Sequence, residues 1–81
     1  KMYYVYLLQS INSPKQKYIG YTSNLKERFK NHNCGCSKHT DKYKPWKLVM
    51  YLGFTEKKKA LVFEAYLKSG SGYSFAKKRF W

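Results

Sequence analysis

Acidic side chains are scarce in this 81-residue chain: four Asp and Glu stand against seventeen Lys and Arg, a formal net charge of +13. So large a basic excess strengthens binding to phosphate backbones through release of condensed counterions. Long apolar runs are missing too. None approaches the roughly 20 residues that span a bilayer, so no membrane partner is expected. No leader-like stretch precedes the first strand, and residence in the cytoplasm is the expectation. Cysteine is limited to Cys34 and Cys36. One residue apart, they are too close for an ordinary disulfide, and no third cysteine can pair with either, so reduced thiols are expected. The segment from His32 to His39 holds two His and two Cys, but its spacing matches no C-x2-C or H-x3-H finger, and zinc is not expected.

What is present suffices for a core. Hydrophobic residues make up 43% of the chain, and nine Tyr, five Phe and two Trp supply large packing surfaces. Wholesale disorder is excluded, and 81 residues bound the reading to one domain, 1–81, because two would each have too little core.

The patterning gives the elements in order. Met2 to Leu8 is aromatic and branched and reads as a strand that stops at the polar stretch Gln9 to Gln16, with its Asn12-Ser13-Pro14 turn signal. Lys17 to Thr22 is its hairpin partner, with Tyr18, Gly20 and Thr22 on one face and Ile19 and Tyr21 on the other. Gly20 between large neighbours marks a bulge or a close backbone approach. Ser23 or Asn24 caps a helix from Leu25 to about His32 whose inward stripe is Leu25, Arg28, Phe29 and His32. Residues 33 to 45 read as a loop. Trp46 to Phe54 is a third strand, a helix starts at Thr55 or Glu56, Gly70 and Gly72 end it with a left-handed cap, and Tyr73 to Trp81 forms a short basic helix. The expected class is α+β: a small three-stranded sheet, mixed or antiparallel, flanked by helices.

Elimination singles out one acid. Glu27 follows Asn24 by three residues and closes a capping box, Glu56 follows Thr55 at a helix start, and Asp41 lies in a polar loop. Glu64 falls mid-helix within the apolar run Ala60 to Leu67, with Lys68 one turn on. The bland alternative is a boundary residue paired with Lys68 on a solvated edge. The sharper reading is a metal-binding carboxylate in the wall that faces a polyanion. Phosphodiester hydrolysis needs a base or activated water, a cation facing the charge that builds on phosphorus, and a metal on a carboxylate. Tyr6, Tyr18, Arg28, His32 and Glu64 supply those parts.

These residues resemble the GIY-YIG nuclease superfamily: Tyr4-Val5-Tyr6 stands for the first motif, Tyr18-Ile19-Gly20 for the second, Arg28 and His32 lie on the following helix and Glu64 on the later one. The resemblance covers almost the whole chain. It is nearest to small stand-alone bacterial proteins related to the amino-terminal endonuclease domain of the UvrC excision-repair subunit, through the stretch Tyr18 to Arg28 and the closing Lys68 to Gly72. It implies a metal-dependent endonuclease acting on DNA, with RNA left open, in DNA repair or recombination. One Mg2+ or Mn2+ ion would sit on Glu64, Tyr18 would activate the nucleophile, Tyr6 would orient it across the hairpin, and Arg28 would stabilise the transition state. His32 would position water or contact phosphate, and a protein partner would supply substrate specificity. A tyrosine with a pKa near 10 is a poor base unless cations favour its phenolate, so Arg28, the metal and the lysines belong to that mechanism.

Two positions depart from the family pattern. Tyr4 stands where the first glycine falls, and no Asn follows Asn33 to match the asparagine some members carry after the glutamate. Phosphate contacts are expected from Lys38, Lys42, Lys44, Lys57, Lys58, Lys59, Lys77, Lys78 and Arg79. The competing reading keeps the fold and the charge but drops catalysis, leaving a nucleic-acid binding module.

Overall fold

The computed structural model describes residues 1–36 and 38–81, without the side chain of His39, so that imidazole of the two-histidine, two-cysteine segment lies outside the described residues. The elements are β1 (Tyr3–Ser10), β2 (Lys17–Thr22), α1 (Leu25–Asn33), α2 (Lys38–Asp41), β3 (Trp46–Phe54), α3 (Lys57–Leu67) and α4 (Gly70–Arg79). The sheet has the order β2-β1-β3 and both pairings are antiparallel, which resolves the mixed-or-antiparallel alternative.

Strand β1 is central and covered on both faces, so its apolar run is continuous rather than alternating. Val5 and Leu7 pack with Ala60, Leu67 and Ala76 beneath α3 and α4. Tyr6 and Leu8 point the other way and pack with Trp46, Leu25 and Phe29 beneath α1. Fully burying a Val or Leu side chain contributes about 1.5–3 kcal/mol, so β1 anchors both layers. It runs to Ser10, two residues past the expected stop, because Gln9 and Ser10 still pair with Lys47 and Trp46 of β3. The pairing shifts between Leu7 and Leu8, where Val49 is the extra residue on β3.

The Asn24 cap of α1 forms as expected: its Oδ1 accepts from the Glu27 amide at 3.2 Å, and its Nδ2 donates to Glu27 Oε2 at 3.1 Å. Residues 33 to 45 are not all loop, because α2 lies within them. Four residues are too few to hold a helix alone. Tertiary bonds hold this one: Trp46 Nε1 donates to the Thr40 carbonyl at 2.8 Å, and the Asn33 side chain brackets the Trp46 backbone by donating to its carbonyl and accepting from its amide.

The two cysteines also depart from expectation: Cys34 and Cys36 are joined by a disulfide rather than reduced. Gly35 between them adopts φ +83°, a left-handed turn that brings their Cα atoms to 5.5 Å, within bridging distance. Gly70 and Gly72 do not form a left-handed cap. Ser69 caps α4 instead, accepting from the Gly72 amide at 3.3 Å, so that helix starts three residues before Tyr73. Gly72 is required there because a Cβ would overlap the Tyr66 carbonyl where α3 turns into α4.

Candidate active site

The hairpin sets Tyr6 directly opposite Gly20, two residue pairs from Tyr18 and on the same face. A Cβ on Gly20 would overlap the Tyr6 phenol and the edge of the Tyr18 ring, so glycine is what lets the two tyrosines lie over the strand. The close approach expected at Gly20 is therefore present. Helix α1 crosses this face and lays its stripe onto it, with Phe29 and Leu25 in the apolar layer and Arg28 and His32 reaching the tyrosines.

His32 is wholly buried, and both ring nitrogens are engaged: Nε2 lies 2.8 Å from Tyr6 Oη and Nδ1 lies 2.7 Å from Thr40 Oγ1. A neutral imidazole offers one donor and one acceptor. Thr40 is also wholly buried, and among the described residues its hydroxyl has only this ring to donate to. Satisfying that proton selects the tautomer in which Nδ1 accepts from Thr40 and Nε2–H donates to Tyr6. Arg28 Nε donates to the same Tyr6 oxygen at 3.4 Å, so the phenolic proton is turned away from His32 and Arg28. The Tyr18 ring lies 6.2 Å from the Tyr6 ring and 4.9 Å from His32 between centroids.

Electrostatics follow from this enclosure. Burial pushes the Tyr6 phenol up to about 12, against the opposing pull of the Arg28 hydrogen bond. Burial, reinforced by the Arg28 charge, lowers His32 from 6.5 to about 4. At neutral pH Tyr6 keeps its proton and His32 is uncharged. Arg28, raised by its bond to Tyr6, is the permanent cation, and it borders an open polar cleft lined by Thr22, Asn24, Glu27 and Asn31.

Glu64 stands on a different element. It occupies the inward stripe of α3, one turn from each of the buried residues Ala60 and Leu67, and its side chain is 21% exposed. Its Oε2 accepts from Lys68 Nζ at 3.2 Å, so the boundary pairing weighed from sequence is formed. The carboxylate makes no hydrogen bond to Tyr6, Arg28 or His32 among the described residues. Its link to the tyrosines runs through Lys68, which shares with Tyr18 a groove at the β2 edge. Among the described residues no three His, Cys, Asp or Glu side chains converge. A single partly exposed carboxylate suits a hard divalent ion that keeps most of its water and takes further ligands from phosphate.

The basic residues named from sequence are exposed: Lys38, Lys42, Lys44, Lys57, Lys58, Lys59, Lys77, Lys78 and Arg79. Two are partly neutralised, Lys44 by Asp41 at 2.7 Å and Lys59 by Glu56 at 3.2 Å. No helix is long and apolar enough to cross a membrane among the described residues. Sequence reasoning missed Thr40, a threonine in a polar stretch whose only signal is its burial.

Residues 2–78 match the family described as the GIY-YIG catalytic domain. A structure-specific endonuclease subunit SLX1 homolog of Giardia intestinalis is 40% identical over 65 residues, covering 75% of this chain and 18% of that protein. The Drosophila persimilis homolog is 45% identical over 71 residues, covering 76% of this chain and 24% of its own length. The chain thus spans about a fifth to a quarter of these relatives. A UPF0213 protein of Clostridium perfringens is 41% identical over 68 residues, covering 83% of this chain and 71% of that one. The solution NMR structure of a UPF0213 protein from Bacillus halodurans superposes with a TM-score of 0.57 at 28% identity, covering 96% of this chain and 84% of that one.

Proposed function

Because the chain belongs to the GIY-YIG catalytic-domain family, we propose that it is an endonuclease that hydrolyses DNA phosphodiester bonds, using one Mg2+ or Mn2+ ion held by Glu64. One observation carries this reading: Tyr6, Arg28 and His32 converge on a single buried oxygen beside Tyr18, in a chain of net charge +13. A phosphate binder has no use for a neutral histidine and a protonated phenol locked together under its cation.

Each residue has a distinct task in that reaction. Tyr18 takes the nucleophile's proton from the groove side. Tyr6 donates toward it and is itself held by His32 and Arg28, so the pair is pre-oriented before substrate arrives. Arg28 offers its remaining N–H groups to the oxygens that gain charge as phosphorus becomes five-coordinate. His32 acts by positioning Tyr6 rather than by touching phosphate, because its ring is sealed. The divalent ion, when bound, acts as a Lewis acid that polarises the phosphate. Residues 1–81 form one nuclease unit on this reading, acting in the cytoplasm in repair or recombination. A partner protein supplies substrate choice, because there is no helix-turn-helix or finger for base readout among the described residues.

The Glu64–Lys68 ion pair favours a second reading, a nucleic-acid binding module in which Glu64 is a boundary residue. Nicking of supercoiled plasmid in Mg2+ or Mn2+, with EDTA and Glu64→Ala as controls, separates the two. Metal-dependent nicking that the variant abolishes, with DNA binding equal or tighter, establishes the endonuclease; tight binding without nicking establishes the module.

A further inference from the structure

The groove at the β2 edge, about 390 Å3 in volume, has a composition that phosphodiester chemistry alone does not require. Its floor is apolar, built from Ile19 and the wholly buried Leu67. Two aromatic side chains flank it, Tyr73 from α4 and Trp81 beyond the end of that helix, and Tyr73 is left 59% exposed. A lysine stands on each side: Lys17 has its Nζ 5.5 Å from the Trp81 ring centre, and Lys68 is paired with Glu64. Tyr18 belongs to the same lining.

We propose that this groove is a subsite for one unpaired nucleotide of the DNA strand being cut, its base stacked against Tyr73 and Trp81 and its phosphates neutralised by Lys17 and Lys68. The proposal rests on the endonuclease reading for placing the scissile phosphate at Tyr18. Aromatic faces beside lysines are the general solution for holding single-stranded nucleotides, since every base has a π face and every linkage a negative charge. A base inside a duplex has both faces covered by its neighbours, so only an unstacked one can enter. A groove of this volume is in the range of small-ligand sites, and the apolar floor rewards a planar ring more than a hydrated phosphate. The consequence is a preference for DNA with a frayed, branched or single-stranded nucleotide next to the cut.

The test is binding in EDTA to a duplex carrying one unpaired nucleotide, on its 5′ or its 3′ end, against the same tail with the base removed and against the blunt duplex. With one polarity, the base should tighten binding by about five- to hundredfold over the abasic tail. A 2-aminopurine base in that position should be quenched on binding. Tyr73→Ala and Trp81→Ala should each bring affinity toward the abasic level and relieve the quenching, and Trp81→Phe should restore part of both. Trp81 also packs against the core, so a Trp81→Ala protein that fails to fold leaves the decision to the exposed Tyr73. Equal affinity for base-bearing and abasic tails of both polarities, or a base dependence that survives Tyr73→Ala, overturns the subsite. Cleavage of the same duplexes in Mg2+ is read separately. Base-dependent binding without cleavage would sink the endonuclease and keep the subsite, and cleavage without base dependence would do the reverse.

Discussion

Thr40 holds the Nδ1 side of His32 at 2.7 Å, and this one contact decides that Nε2, the nitrogen facing Tyr6, carries the proton of the buried ring. Substituting Thr40 by Val keeps the shape and removes the hydroxyl. A buried ring nitrogen left without its partner costs about 1–3 kcal/mol, and the ring becomes free to switch tautomer. Urea denaturation should show that loss. Nicking should slow while DNA affinity stays within about twofold, because no group that meets phosphate has changed. Thr40→Ser should recover both. A Thr40→Val protein with wild-type stability and rate would show that the ring is ordered by other contacts.

Stability should fall on acidification. His32 titrates at about 4 in the fold against 6.5 unperturbed, so the unfolded chain takes up a proton first as pH drops. The contribution is complete above the unperturbed value and is lost progressively as pH falls toward the folded one. Its full size is on the order of 3 kcal/mol. Denaturant midpoints measured across that interval check it, with His32→Asn as the reference that should flatten the curve. A wild-type curve no steeper than that of the variant would count against a sealed, neutral imidazole.

Replacing Gly20 by Ala should be far more damaging than its single methyl group suggests. The new carbon meets the Tyr6 phenol, which His32 and Arg28 hold in place, so the strain has no flexible side chain to absorb it. Overpacking of this kind costs about 1–3 kcal/mol, and the displacement falls on both tyrosines at once. Thermal unfolding and nicking should fall together. Gly70→Ala, where nothing lies within 4 Å, is the matched control and should be neutral.

Arg28→Ala should separate rate from affinity. Loss of a group that stabilises transition-state charge lowers turnover by about a hundred- to a thousandfold. DNA affinity should drop only by the share of one phosphate contact among many, seen as a salt slope reduced by about one. Arg28→Lys should rescue affinity better than rate, because a lysine cannot reproduce the planar fork. Proportional losses in both quantities would move Arg28 from the chemistry to the binding surface.

The sheet, helices α1 and α3 and the face of α1 that carries Arg28 were legible because an aromatic and branched run, a capping Asn and a helical stripe are local signals. His32 was legible as a face residue but not as a buried one, since its cover comes from Thr40, eight residues away and visible only once α2 has folded onto Trp46. Glycine misled twice. At Ser69 to Gly72 the same residues that end one helix also begin another, and the nearby Tyr66 carbonyl, not local propensity, decides between them. At Gly35 the left-handed turn sets the Cα atoms of Cys34 and Cys36 5.5 Å apart, so the one-residue separation that argued against a disulfide is no bar to it. Glu64 was found by elimination, and its pairing with Lys68 was the alternative weighed beside it.

The alternation along β1 places Val5 and Leu7 in one layer and Tyr6 between them in the other. A slip of a single residue would therefore bury the phenol under α3 and present an aliphatic chain to His32 and Arg28. A one-residue slip damages the core and the site together. Selection on activity thus also selects the hydrophobic register of β1.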